Sequence, residues 1–286
     1  MSFKTKYARL RQKISLPYIE TGERAGTPVI FLHGVTDSHR SFELLFPHLP
    51  GSVRAIAVTQ RGHGDAPRLD AEYRPREFAD DLSEFMDTAG IDKAVIVGHS
   101  MGSFAAQRFA MDYPERVIGL VLIGSFTACR NSNVVVDFVT SAVDRLSDPI
   151  PTEFAREFQT STFAIPIPDE FLETVIAESV KVPARIWKAA CHSMIDTDHT
   201  AELEKIKAET LLIWGDQDAY FDLEEQKKLL EGIERSTLNI YKGVGHTPQW
   251  EVPERLAADL MDFIERVASQ HLAGRRAARA ERATAL

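Results

Sequence analysis

One serine lies at the centre of a glycine motif that is typical of a nucleophile. Ser100 is the middle residue of Gly-His-Ser-Met-Gly at 98–102, directly after the apolar run 94–97 and before the amphipathic segment 104–113. A strand, this motif and a helix in that order predict a tight turn that projects the serine hydroxyl above a sheet. The two glycines let the strand and the helix approach closely, because side chains there would collide. The same pentapeptide also fits an ordinary strand-to-helix turn, so the other candidate residues must decide between the two interpretations.

A serine nucleophile needs a base to take its proton and a carboxylate to orient that base. His246 lies in the glycine-rich loop 242–248, which follows the predicted strand 238–241. Loops at the carboxyl ends of strands line the active-site edge of an open α/β sheet. His246 is therefore predicted to be the base rather than a surface histidine. Asp216 and Asp218 both follow another predicted strand, and either could supply the carboxylate.

The oxygen of an attacked carbonyl gains negative charge and needs two N–H donors. The N–H of Met101 lies at the start of the helix after Ser100, where the helix dipole favours negative charge. The second donor should come from the loop after the run 29–32, where we choose the N–H of Val35. His33 in the same loop is predicted to brace that loop rather than to act as a second base.

These loops must be brought together by a sheet that collects the ends of several strands. Short apolar runs alternate with amphipathic segments, a pattern that favours an α/β fold with a mostly parallel central sheet and helices on both faces. Most runs are apolar throughout, as expected for strands buried on both faces. The loop after the run 117–123 contains no carboxylate, which favours the loop after the run 211–214 as the source of the acid. The runs are 29–32, 53–58, 94–97, 117–123, 211–214 and 238–241.

The alternation stops in the middle of the chain, where helical periodicity replaces the strand signals. An all-helical insertion between two strands predicts a cap over the sheet. The helices are expected at roughly 133–146, 152–162, 169–182 and 184–195. We therefore expect a core formed by 1–126 and 208–268, a helical cap at 127–207 and an Ala/Arg-rich tail at 269–286 that is a frayed helix or a disordered end.

Composition narrows the classes of partner. The formal net charge of −9 disfavours nucleic acid, because phosphate binding needs a basic face. Cys129 and Cys191 have no metal-ligand spacing and are too few for a disulfide framework. Residues 1–12 contain no apolar signal segment, and the longest apolar run, 117–123, is too short to cross a bilayer. We expect a cytoplasmic protein that has no metal, no cofactor and no membrane partner, and the oligomeric state stays open.

Five motifs in a fixed order resemble those of the α/β-hydrolase superfamily, and the resemblance extends over residues 15–268. The motifs are His33-Gly34, Gln60-Arg61-Gly62-His63-Gly64, the serine motif, Gly215-Asp216-Gln217-Asp218 and Gly245-His246. The resemblance implies an α/β-hydrolase fold and a triad of Ser100, Asp218 and His246. In this family the acid usually stands three residues after the strand-end glycine, which maps onto Asp218, and the oxyanion position after His-Gly maps onto Val35.

One loop departs from the family pattern. Many relatives have Asp before the x-Arg-Gly-x-Gly motif, whereas this chain has Thr59 there, followed by Gln60 and Arg61. We expect this loop to be structural, with Arg61 and Asp65 bracing it rather than taking part in chemistry.

The resemblance also narrows the reaction. A serine at position 100 argues against the dehalogenases and epoxide hydrolases of this fold, which use an aspartate nucleophile. We expect a carboxylesterase that cleaves small or medium apolar esters through an acyl-enzyme, with a small-molecule ester as its partner. A carbon–carbon bond hydrolase, a perhydrolase and a small-molecule receptor with slow turnover are the alternatives. Relatives of the carbon–carbon type typically have tryptophan directly after the catalytic histidine, where this chain has Thr247.

Two further groups in the cap have side chains that could bind a ligand. Arg185 could bind a carboxylate, but the sequence favours an arginine on the cap surface. Asp196, Asp198 and His199 are metal-binding residue types, but an exposed helix end is the favoured interpretation.

Overall fold

A computed structural model describes residues 3–11 and 14–284, with side chains as far as residue 273. One eight-stranded sheet has the order β1-β2-β4-β3-β5-β6-β7-β8. The first two strands run antiparallel to their neighbours, and the other pairs are parallel. The strands are Lys6–Arg9 (β1), Ser15–Thr21 (β2), Thr27–Leu32 (β3), Val53–Val58 (β4), Ala94–His99 (β5), Val117–Ile123 (β6), Thr210–Gly215 (β7) and Ser236–Tyr241 (β8).

All six strands predicted from apolar runs are present, and the antiparallel pair β1 and β2 was missed. Residues of β1 are mostly exposed, since this strand forms one edge of the sheet. Such a strand needs no continuous apolar run, so its sequence resembles that of a loop.

Helices cover both faces of the sheet, as expected. Before β6 they are Pro75–Thr88 (α1) and Met101–Asp112 (α2). Between β6 and β7, in the segment called the cap below, they are Asn133–Ser141 (α3), Thr152–Thr160 (α4), Asp169–Val180 (α5) and Ala184–Asp196 (α6). After β7 they are Leu223–Gly232 (α7), Pro248–Glu251 (α8) and Pro253–Thr284 (α9). None of the helices in the described ranges is both long and apolar enough to cross a membrane.

Alternate residues of the central strand β3 face two separate apolar cores. Ile30 and Leu32 belong to the core that α1 and α2 cover, whereas Val29 and Phe31 belong to the core that α9 covers. Each fully buried side chain of this kind stabilises the fold by roughly 1.5–3 kcal/mol. The sheet is therefore held rigidly from both sides, which fixes the positions of the loops at the carboxyl ends of its strands.

Four helices between β6 and β7 form the segment expected to be a cap. Three of them match their predicted bounds closely, but α3 ends at Ser141, and a 3-10 turn follows at Val143–Arg145. At the other end of the chain, α9 continues past residue 268 without a break, so the backbone of the tail extends this helix to Thr284. The tail side chains from residue 274 onward lie outside the described residues.

Candidate active site

Ser100 occupies a strained turn between β5 and α2. Its φ of 51° and ψ of −119° lie in a region that non-glycine residues rarely adopt. A Cβ on Gly98 would lie 2.3 Å from the carbonyl oxygen of Gly102, and one on Gly102 would lie 2.2 Å from that of Leu32. Only glycines allow this close crossing of strand and helix, as the sequence motif predicted.

His246 and Asp218 form a buried pair in the loops after β8 and β7. The Nδ1 of His246 donates to Oδ2 of Asp218 at 2.7 Å, and the side chains are 5% and 0% exposed. The other oxygen of Asp218 accepts the N–H groups of Tyr220 at 2.8 Å and Phe221 at 3.2 Å. Because the carboxylate only accepts, the proton of a neutral His246 is on Nδ1 and the lone pair is on Nε2.

Asp216, the other candidate acid, points away from His246. Its Oδ1 accepts the N–H of Gly243 at 2.7 Å, and its carboxylate lies 4.0 Å from Nζ of Lys242. The bond from Gly243 and a second from Gln217 lower the pKa of Asp216. This aspartate therefore braces the loop after β8, and the geometry pairs His246 with Asp218.

The end of β6 lies between Ser100 and His246. The N–H of Ser100 donates to the carbonyl of Ile123 at 3.0 Å. A Cβ on the next residue, Gly124, would lie 2.8 Å from the ring of His246. No hydrogen bond joins the Ser100 hydroxyl to His246 among the described residues. Bonds of this kind are often long in unliganded enzymes and shorten when substrate binds.

Two backbone N–H groups beside Ser100 are available to an anion. Met101 begins α2, and Val35 lies in the loop after β3 and lines the same cavity as Ser100. In the described part of the chain neither N–H donates a hydrogen bond. Both groups are therefore without a hydrogen-bond acceptor in this part of the chain, as the donors of an oxyanion site need to be before substrate binds.

An apolar cavity of about 50 Å³ lies over Ser100, between the sheet and the cap. Its lining has no charged side chain among the described residues. A cavity needs roughly 10–15 Å³ of such volume to hold one water molecule, so this space suits a group of a few heavy atoms. Besides Val35, Ser100 and Tyr220, the lining includes Phe126, Val139, Phe158, Cys191, Met194 and Phe221.

His33 has the bracing role predicted for it. Its Nδ1 donates to the carbonyl of Gly34 at 2.8 Å, and its Nε2 accepts the N–H of Gln60 at 3.0 Å. Burial, with a smaller contribution from His63, holds the pKa of His33 well below its usual range. A neutral ring with both nitrogens in use cannot serve as a second base.

Arg61 and Arg185 also have structural positions. Arg61 forms a buried two-point ion pair with Asp81 at 2.6 and 2.7 Å. The exposed guanidinium of Arg185 donates to the carbonyls of Leu69 at 3.0 Å and Arg68 at 3.1 Å. Arg185 thus joins the cap surface to the core, outside the cavity over Ser100.

The interpretation of residues 196–199 as an exposed helix end is wrong for His199. Its side chain is buried, and the centroid of its ring lies 4.0 Å from that of Phe104. Its Nδ1 contacts Oε1 of Gln107 at 3.2 Å. Its partners lie on α2, about ninety residues earlier in the chain, and the local sequence does not reveal them. In the described ranges no group of acidic, histidine or cysteine side chains could hold a metal.

A family model described as the alpha/beta hydrolase fold matches residues 27–253. The chain therefore belongs to the α/β-hydrolase family, which confirms the predicted fold class. The five ordered motifs on which the sequence prediction rested all lie within the matched range.

Curated proteins and solved structures with several different names are similar to this chain. It is 26% identical over 278 residues to a 2-hydroxy-6-oxononadienedioate/2-hydroxy-6-oxononatrienedioate hydrolase of Pseudomonas putida, covering 91% of this chain and 96% of the relative. An esterase from Exiguobacterium antarcticum superposes with a TM-score of 0.80 at 19% identity, covering 92% of this chain and all of that one. A meta-cleavage product hydrolase from Pseudomonas fluorescens superposes with a TM-score of 0.79 at 23% identity, covering 91% and 97%. At these identities the structural matches show a common fold.

Proposed function

We propose that this hydrolase cleaves small or medium apolar carboxylic esters with Ser100 as nucleophile, His246 as base and Asp218 as the orienting acid. The pairing of His246 Nδ1 with Asp218 at 2.7 Å beside the strained Ser100 turn is the observation that carries the proposal. It leaves Nε2 as the basic nitrogen of a buried imidazole, which is the state that proton transfer from serine requires.

Reaction begins when Nε2 of His246 takes the hydroxyl proton of Ser100, and Oγ forms a bond to the ester carbonyl carbon. The N–H groups of Val35 and Met101 hold the resulting oxyanion. His246 then returns the proton to the alcohol oxygen as the carbon–oxygen bond breaks, which leaves an acyl-enzyme. Water, activated by His246, attacks this acyl group and releases the acid and the free serine.

The lining of the cavity supports an ester over a vinylogous diketo acid. The relative from Pseudomonas putida is named for dioates, which have two carboxylates. Among the described residues that line the cavity over Ser100, none has a cationic side chain to pair with a carboxylate, and the guanidinium of Arg185 is bonded to carbonyls elsewhere. Burying an unpaired carboxylate is costly, whereas a neutral acyl group fits this apolar lining.

Carbon–carbon bond hydrolysis is the second candidate, because the relative of similar length is named as a hydrolase of 2-hydroxy-6-oxo dienedioates, which are vinylogous diketo acids. Thr247 stands where relatives of that type typically have tryptophan, which weakens this candidate. A perhydrolase would use the same triad, and a small-molecule receptor would retain it with slow turnover; no particular contact favours either.

Initial rates with aryl esters of short straight-chain acids and with a vinylogous diketo acid test the proposal. We expect ester turnover by the wild type that falls at least ~10³-fold in Ser100→Ala, because the nucleophile is lost. Equal ester rates for the two proteins would overturn the proposal. Turnover of the diketo acid alone would establish the second candidate in its place.

A further inference from the structure

Glu251 is a buried carboxylate that binds the loop of His246 without contacting its ring. It is the last residue of α8 and is 8% exposed. Both of its oxygens accept the N–H of Gly245, at 2.9 and 3.0 Å, and Oε1 also accepts from the N–H and hydroxyl of Thr247 at 3.3 and 3.4 Å. The residues on either side of His246 are therefore held by one side chain.

The same carboxylate also binds the cap. Its Oε2 accepts the N–H groups of Ala164 and Ile165, both at 2.9 Å. These residues follow α4, and a Cβ on Gly245 would lie 2.7 Å from the nitrogen of Ala164. The loop of His246 and this stretch of the cap are thus packed backbone against backbone, with Glu251 between them.

His246 itself is anchored to both neighbours through its backbone. Its N–H donates to the carbonyl of Thr162 at 2.8 Å, and its carbonyl accepts from Nε2 of His99 at 3.0 Å. Burial, and then the nearby His246, hold the pKa of His99 well below its usual range, which keeps that ring neutral. The helix that carries Glu251 is fixed in turn, since Nε1 of Trp250 donates to the carbonyl of Ser41 at 2.9 Å.

The charge of Glu251 is balanced by N–H dipoles, since no cation pairs with it among the described residues. A buried carboxylate is stabilised by several such donors and fixes their positions strongly, because each bond to a charged acceptor is stronger than a neutral one. We propose that Glu251 is a positioning residue. It holds the imidazole of His246 in the correct position relative to Ser100 and fixes residues 162–165 of the cap against the loop of His246. This inference rests on the proposed role of His246 as the base.

The variant Glu251→Gln keeps the size of the side chain but turns one acceptor into an amide donor that faces N–H groups. We expect kcat for the best ester to fall about 10- to 100-fold with KM changed less than about twofold, because a displaced base slows chemistry more than binding. Amide hydrogen exchange at Gly245, Ala164 and Ile165 should accelerate together. Glu254→Gln, an exposed residue three positions later, is the matched control and should leave both measurements unchanged.

A folded Glu251→Gln protein with wild-type kcat and wild-type exchange would overturn the positioning role. If that variant fails to fold, Glu251→Asp, which keeps the charge on a shorter side chain, should lower kcat with KM unchanged, and a wild-type kcat would overturn the proposal. If the wild type hydrolyses no ester, the ester proposal itself is wrong. In that case the measurement in place of kcat is the rate at which a fluorophosphonate labels Ser100. Equal labelling rates in the wild type and in Glu251→Gln would refute the role of Glu251.

Discussion

The Oδ1 of Asp37 accepts a hydrogen bond from Nε2 of Gln159 at 3.0 Å, which joins the loop after β3 to helix α4 of the cap. The same amide donates to Oγ of Ser179 at 2.7 Å, and that hydroxyl lies 2.8 Å from Oγ1 of Thr36. All four side chains are buried. The backbone segment that carries the Val35 donor is therefore tied to two cap helices.

The pKa of Asp37 is raised to about 7, chiefly by burial and to a smaller extent by the nearby Glu178, while hydrogen bonds from Gln159 and Ser41 and the nearby His246 oppose the rise. The folded protein thus holds this proton more tightly than the unfolded chain, where the usual value is 3.8. The free energy of unfolding should fall as pH rises from about 4 to about 7 and should lose no more from this group above that range.

Asp37→Asn removes this titration while keeping an acceptor for Gln159. We expect the variant to be more stable than the wild type at pH 8, by on the order of 4 kcal/mol, and the difference to vanish near pH 4. Urea unfolding across this pH range measures it. Asp92→Asn replaces an exposed carboxylate and should follow the wild-type curve. If the free energies of unfolding of Asp37→Asn and the wild type differed by the same amount at all pH values, Asp37 would not be the group with the raised pKa.

The two aspartates after β7 allow a direct test of the acid. Asp218→Asn replaces the acceptor of His246 Nδ1–H with an amide that can favour the wrong tautomer, so kcat should fall by about 10²–10⁴-fold. Asp216→Asn changes the other aspartate of the same loop, which binds the N–H of Gly243 and not His246. It should keep kcat within about threefold, since the pair with His246 is intact. Steady-state ester hydrolysis measures both, and the opposite ranking would assign the acid to Asp216.

The sequence predicted the features that depend on local constraints. The Ser100 turn needs glycines at fixed positions, and strands buried on both faces need continuous apolar runs, so both leave a readable pattern. Gln159 and Asp37 are 122 residues apart, and Glu251 binds Ala164 across 87, so no local pattern marks them. The cap helices were predictable from periodicity, but the cavity depends on how they pack against Ser100.

The ion pair of Arg61 with Asp81 should matter for stability rather than for chemistry. Burial raises the pKa of Asp81 although Arg61 opposes this, and both side chains are almost inaccessible to solvent. Asp81→Asn would leave a buried guanidinium without its counter-charge, which costs about 3–5 kcal/mol. Denaturant unfolding measures this loss, and kcat of the folded protein should be unchanged. Glu173→Gln, which breaks the exposed pair with Arg156, should cost less than about 1 kcal/mol. Equal losses in the two variants would contradict the importance of burial.

Met194 on α6 lines the cavity over Ser100 and should limit the length of the acyl group. Truncation to alanine removes three heavy atoms from the lining, so the enlarged space should accept an acyl chain longer by two or three carbons. The cost in stability is about 2–5 kcal/mol, as for other buried methionines. Met111 is a matched control, because it is 7% exposed against 6% for Met194 but lies on α2 and is not among the described residues that line the cavity.

Hydrolysis of a homologous series of straight-chain aryl esters separates the two effects. Met194→Ala should move the maximum of kcat/KM to longer chains by raising the rate for the long esters about 10-fold, since each buried methylene contributes about 0.8 kcal/mol. Met111→Ala should lose similar stability and keep the wild-type chain-length profile. The same shift in both variants would mean that loosened packing, and not the wall of this cavity, sets the preference. No shift in Met194→Ala would place the acyl group elsewhere, because this side chain forms part of the lining of the cavity over Ser100.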